Sequence, residues 1–346
     1  MLSNQSEINS QDQYVWRTER SNIYNRLDAQ AKSLGITTCH TSVDIGTISK
    51  GASDKLLITT LFDLVPSIDQ YQQIDKVCQQ LGKKIWWLTD NVIVPDQHIF
   101  KNIKVLSRTE LLGMTATSGH IPSVNLHPTR LYNCFIQRCE SVRQSWFYFL
   151  HLNNLLDQGY VSFLLYQLNE YSELTGVELF DFIHHQRGLA GVLKFTQAYQ
   201  VLRDQVPFRN FDENYDLSSY ICDSKYSLIL ETYAVEDHRS QWCFTEKILR
   251  SLQSPTINLA FIQQYGAREL KKLGLEVDSV MEALDHLEWI PRQQALLDIL
   301  IHDTIAIDST IKYNQCKHNQ NMLTQWKQAY QKSTFFDDIF EEIKHA

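Results

Sequence analysis

Apolar residues along the chain keep two rhythms. Residues 55–61 (KLLITTL) form an unbroken apolar, β-branched run between Gly51 and Asp63, which predicts a buried strand. Over Ile68–Leu81 the apolar positions recur at helical spacing and stop at Gly82, a suitable helix terminator. Residues 84–88 (KIWWL) and 102–106 (NIKVL) predict two more strands, and 14–34 predicts a helix after a polar tail over 1–13. Strand, helix, strand is the grammar of a parallel sheet with crossovers.

Residues 116–130 (ATSGHIPSVNLHPTR) lose periodicity and hold two of the 7 prolines, the mark of a linker. The alternation then restarts. Strands are predicted at 130–137, 159–165, 226–231 and 256–260, and helices at 142–154, 244–252 and 266–273. Residues 171–203 read as mostly helical, as does the chain from 278 to the C-terminus. The aromatic run Trp146-Phe147-Tyr148-Phe149 is expected in the core rather than as a stacking platform. The expected fold class is therefore α/β, with two Rossmann-like domains over 1–125 and 126–346, the second ending in helices. Such domains facing a cleft bind ligands at the carboxyl ends of their strands.

Composition narrows the function classes. The 346 residues are 43% hydrophobic and 21% charged, an ordinary globular balance. The net charge of −8 argues against binding nucleic acid mainly through phosphates, though a local basic cleft stays open. Seven scattered cysteines without a C-x-x-C suggest reduced thiols, not a disulfide framework or a zinc site. The N-terminus MLSNQSEINSQDQ has no apolar core, and no run of 18 apolar residues occurs, so a cytoplasmic location is expected (the host cytoplasm if the chain is phage-encoded).

Two segments could carry chemistry. In the first, Arg138 follows a predicted strand and Arg143 lies in the first turn of the next helix. Two guanidinium groups beside a helix start suit a diphosphate. They equally suit surface pairing with Glu140 and a nearby acid. In the second, Glu231 closes an apolar strand and Thr245-Glu246-Lys247 opens a helix, with Thr245 as N-cap. A carboxylate there could accept from ribose hydroxyls and the lysine could meet a phosphate. The alternative is an ordinary helix start with a dipole-favoured acid and a solvated lysine.

Taken together, "FIQR….RQSWFYFL…NLLDQGYVSF" and "LILETYA…FTEKILRSL" resemble a family of glycosyltransferases of phages and large viruses, itself distantly similar to fucosyltransferase-type enzymes of the GT-B fold. The match covers roughly residues 132–163 and 227–273. Gln137 stands where the family often has Asn, and Gln253-Ser254-Pro255-Thr256 replaces a Gly-Pro-Phe-like turn. The resemblance implies a GT-B-like pair of domains, the second binding a nucleotide-sugar donor and the first facing the acceptor. Arg138 and Arg143 would take the diphosphate, and Thr245, Glu246 and Lys247 phosphate and ribose. Glu231 would lie beside the sugar or support the helix start. The acceptor would be a glycan, a protein or a modified base such as a hydroxymethylated pyrimidine in phage DNA.

No D-x-D motif for a diphosphate-bound metal occurs, so no metal and no cofactor beyond the nucleotide-sugar co-substrate is expected; cationic side chains would stabilise the leaving diphosphate. An inverting transfer needs a base, for which Asp63 and Asp90, each just after an apolar strand, are the positional candidates; both could instead cap local turns. His184-His185 point about 100° apart on a helix and make a poor metal pair. The acids Asp337-Asp338 and Glu341-Glu342 are expected on a solvated helix face. The rival reading is a non-catalytic scaffold on a degenerate fold of this type.

Overall fold

The computed structural model describes residues 10–40, 48, 53–61, 66–91, 99–116, 123–136, 141–163, 176–202, 208–211, 217–231 and 244–346. The chain divides into two compact units: Met1–Ser118 with Asp237–Leu249 and Gln320–Ala346, and Gly119–Glu236 with Arg250–Asn319. The sequence predicts one break near 125. The first cut does fall in the expected linker, but the final helical segment belongs to the first unit.

The first unit holds strands β1 (Thr37–Cys39), β2 (Lys55–Thr60), β3 (Lys84–Thr89) and β4 (Ile103–Ser107), paired parallel in the order β1-β2-β3-β4. After their first residues β2 and β3 are buried throughout, which explains why they read as continuous apolar runs instead of alternating ones. The helix Ile68–Leu81 starts at a reciprocal capping box. Ser67 Oγ accepts from Gln70 N–H, and Gln70 Oε1 accepts from Ser67 N–H at 2.8 Å. It ends where Gly82 turns left-handed at φ 65°. Its Tyr71, Ile74 and Cys78 cover one sheet face together with Ile58, Trp87 and Val105, and the Tyr71 ring meets Trp87 edge-on at 5.2 Å.

The C-terminal helix Asp337–His345 closes this unit. Ile339, Phe340 and Ile343 are buried. Asp337, Asp338 and Glu341 are exposed, as the sequence suggested, with Asp338 pairing to Arg108; Glu342 is half-buried and accepts from the Trp86 indole N–H at 2.8 Å and from Lys104 Nζ at 2.6 Å. Lys55 Nζ donates to the Ile343 carbonyl at 2.7 Å. The helix Ser10–Ser33 buries Ile23, Leu27 and Ala31, and its Arg26 guanidinium donates to the carbonyls of Tyr330 and Lys332. Both ends of the chain thus build one unit, and a pattern local in sequence could not have indicated it.

The second unit holds β5 (Arg130–Ile136), β6 (Gly159–Phe163), β7 (Phe208–Arg209), β8 (Ser224–Leu230) and β9 (Ile257–Phe261). Their order is β7-β6-β5-β8-β9, all parallel except β7 against β6. The helix Ser141–Leu152 buries all four members of its aromatic run, which pack as core. Trp146 meets Phe261 edge-on at 5.5 Å, Phe147 stacks on Phe163 at 4.5 Å, and Tyr148 meets Phe195 at 4.7 Å. The helices Trp289–His302 and Ser309–Gln331 follow, the latter passing from the second unit into the first at residue 320. Among the described residues no helix is long and apolar enough to cross a membrane.

Candidate functional site

The order β7-β6-β5-β8-β9 contains a reversal. The chain leaves β5 towards β6 and β7, then returns to the other side of β5 for β8 and β9. In open parallel sheets ligands characteristically bind beyond the carboxyl ends of the two strands that flank such a reversal. Here those strands are β5 and β8.

Two predicted residues stand at that edge. Arg143, in the first turn of the helix after β5, is buried, and its Nε and Nη2 donate to the Leu230 carbonyl, the last of β8, at 3.3 and 3.2 Å. Glu231 is the next residue; its carboxylate side chain is buried, and its N–H continues the β8–β9 ladder to the Phe261 carbonyl at 3.1 Å. A buried guanidinium and a buried carboxyl group thus flank the same strand end.

A ladder of polar groups inside the sheet holds the edge in register. Asn133 Nδ2 donates to the Tyr226 carbonyl at 3.1 Å and to Ser227 Oγ at 3.0 Å, and Ser227 Oγ bonds Thr256 Oγ1 at 2.7 Å. All three residues are buried. The sequence treated them as ordinary strand positions, although polar letters in otherwise apolar strands were a usable signal. Beside them, burial pushes the Cys134 thiol up to about 12, against the opposing pull of Arg143, so it stays protonated and is no nucleophile at neutral pH.

Thr245 opens the helix Glu246–Ser251, with its Oγ1 accepting from the Lys247 N–H at 3.4 Å and its carbonyl from the Leu249 N–H at 3.5 Å. Lys247 Nζ lies 3.2 Å from Glu246 Oε1, both side chains about a third exposed. These three residues group with the first unit, Arg143 and Glu231 with the second. Asp90 directly follows β3 and is buried, as are Thr60, Thr89 and Asn91 at the ends of β2 and β3. Arg138 and Asp63 lie outside the described residues.

A hollow of about 510 Å³ opens at the opposite, amino-terminal edge of the second sheet, between residues 126–131 and Lys225, Asp303 and Ile307. Two of its cations are engaged locally, Lys225 with Asp303 and Arg130 with the Asp157 carbonyl at 2.6 Å. Among the described residues no group of three His, Cys, Asp or Glu side chains could hold a metal ion. In comparisons with known proteins, no family model, no curated protein and no solved structure matches the chain.

Proposed function

We propose that the chain is a glycosyltransferase that moves a sugar from a nucleotide-diphosphate donor to an acceptor hydroxyl without a metal ion, on two domains of GT-B type. The observation that carries this reading is the buried Arg143 beside the buried Glu231 at the β5/β8 reversal of a parallel sheet. In this reading the donor lies in that crevice, with Arg143 supplying positive potential where diphosphate charge develops as the glycosidic bond breaks. Glu231 lies beside the sugar or supports the helix start. By the sequence resemblance, Arg138 adds a second guanidinium, and Thr245, Glu246 and Lys247 contact phosphate and ribose. Asp90 or Asp63 takes the acceptor proton in an inverting transfer. The acceptor is a glycan, a protein or a hydroxymethylated pyrimidine of phage DNA, and the enzyme works in the cytoplasm.

A non-catalytic scaffold is the second reading. It is favoured by one contact: the Arg143 guanidinium is already engaged by a main-chain carbonyl, as a purely structural arginine would be. Thermal unfolding with UDP, GDP, ADP and CDP separates the two. A nucleotide at 100 times its Kd stabilises by about 2.7 kcal/mol. One of the four is expected to raise the Tm, and its sugar conjugate to be slowly hydrolysed with release of that diphosphate. No Tm rise with any nucleotide, in folded protein, selects the scaffold. Lys247→Ala should weaken the diphosphate without lowering the Tm of the free protein, and normal binding by this variant removes Lys247 from the site.

A further inference from the structure

The helical segment Gly176–Leu202 is not continuous. Gly188 has φ 65° and ψ −173°, a conformation open to glycine and strained for other residues, so a second helical stretch over 189–202 starts there. Gly191 serves the same break, since a Cβ at that position would lie 2.4 Å from Arg187 Cβ. Arg187, the last residue before the break, is thereby folded back onto the helix Ser141–Leu152, with its guanidinium 4.7 Å above the Phe149 ring.

This arginine is poorly matched by its surroundings. Among the described residues no carboxylate pairs with it. Its one hydrogen-bond acceptor is Gln293 Oε1, on the helix Trp289–His302, and its Nε is shielded from water without any partner. Burial draws its pKa below the usual arginine value, the mark of a cation losing water without gaining an anion. Gln293 is fully buried, and the Nε2 of the same amide head also lacks an acceptor. Buried donors without acceptors are costly, and a buried charge without a counter-charge more so. Here the unmatched guanidinium nitrogen and the amide that holds its Nη2 lie beside a fresh helix start, whose dipole end is positive. Gly188, Leu189 and Ala190 are exposed and Arg187 itself is half-buried, so solvent borders the group although its unmatched nitrogens are covered.

We infer that Arg187 and Gln293, beside the helix restart at Gly188, form an oxyanion-binding site that takes the carboxylate or phosphate group of a small ligand. The planar guanidinium fork offers two parallel N–H groups to such an anion, and the glutamine amide offers a third donor. The site holds whether or not the chain transfers a sugar, because none of its groups belongs to the β5/β8 crevice.

The test follows thermal unfolding of the full chain against sodium phosphate and, separately, sodium acetate, with ionic strength matched by sodium chloride. A saturable Tm rise over chloride is expected with at least one anion, and it should vanish in Arg187→Met. The anion that produces it tells a phosphate ester from a carboxylate ligand. An equal rise in Arg187→Met, or no rise with either anion, overturns the site. Should Arg187→Met fail to fold, Gln293→Leu decides: a midpoint raised about tenfold or more supports the site, as loss of one charge-assisted hydrogen bond requires, and an unchanged midpoint overturns it.

Discussion

The two sheets differ in how the chain visits their strands. The first runs β1-β2-β3-β4 in strict sequence, every connection stepping the same way. The second reverses between β5 and β8. A monotonic sheet has no pair of adjacent strands whose connections part, so it opens no crevice of that kind, whereas the reversal does. Among the described residues the ends of β2 and β3 carry the buried carboxyl group of Asp90 together with buried hydroxyl and amide groups; the ends of β5 and β8 carry Arg143 and Glu231. Donor binding is therefore expected to centre on the second sheet, although Thr245, Glu246, Lys247 and Asp90 group with the first unit.

The means of stabilisation differ in parallel. In the second unit Lys312, buried in the helix Ser309–Gln331, binds both oxygens of Asp278 at 2.8 Å, and Asp278 in turn accepts from the main-chain N–H and the side-chain amide of Asn258 in β9. Removing one partner of such a buried pair strands the other charge. Lys312→Met is accordingly the most damaging change expected, with a loss of about 3–5 kcal/mol in urea unfolding. If nucleotide binds at the β5/β8 edge, affinity should fall with it, because Asn258 sits in the strand next to β8. A loss below about 1 kcal/mol would show that the pair is solvated, as surface pairs are.

The first unit also buries the apolar face of a helix far away in sequence. Phe340 is 4% exposed, and Phe340→Ala should cost about 3 kcal/mol. Unlike Lys312→Met, it should leave nucleotide affinity unchanged when measured at a temperature where the protein is folded. An affinity drop as large as that of Lys312→Met would show that the final helix supports nucleotide binding as strongly as the Lys312–Asp278 pair does.

Legibility followed the same divide between local and distant causes. The strand over 55–61 and the helix Ile68–Leu81 were readable because period, capping box and terminal glycine all sit within a few residues. β1 and β7 were not, since three and two residues carry no period. The break at Gly188 has a signal, a glycine inside a helical pattern, but the overall periodicity of 171–203 predicts a mostly helical stretch without marking it. Lys312 and Asp278 look like exposed letters of polar helices; only the fold brings them together across 34 residues. The candidate residues Arg143 and Glu231 could be named from their positions at predicted strand and helix ends. The strand order that puts them at a reversal could not, because sequence period does not say which strands are neighbours.

The smallest effect expected concerns the amino-terminal edge of the second sheet. Asp223, just before β8, accepts from Tyr160 OH at 2.7 Å, from the Thr129 N–H at 3.1 Å and from the Thr129 hydroxyl. Burial opposes its ionisation, but these hydrogen bonds and the nearby Arg130 outweigh it and hold the carboxyl below the usual aspartate range. A depressed folded-state value means that the contribution is complete above the ordinary aspartate pKa of about 3.9 and is lost as pH falls through the lower, folded value. Asp223→Asn removes the charge at every pH. The stability gap between wild type and Asp223→Asn should therefore stay constant from pH 5 to 7 and narrow as acid is added below about pH 4. Urea unfolding at a series of pH values measures it. A gap that widens in acid would mean that the neutral acid, not the carboxylate, is what Thr129 and Tyr160 hold.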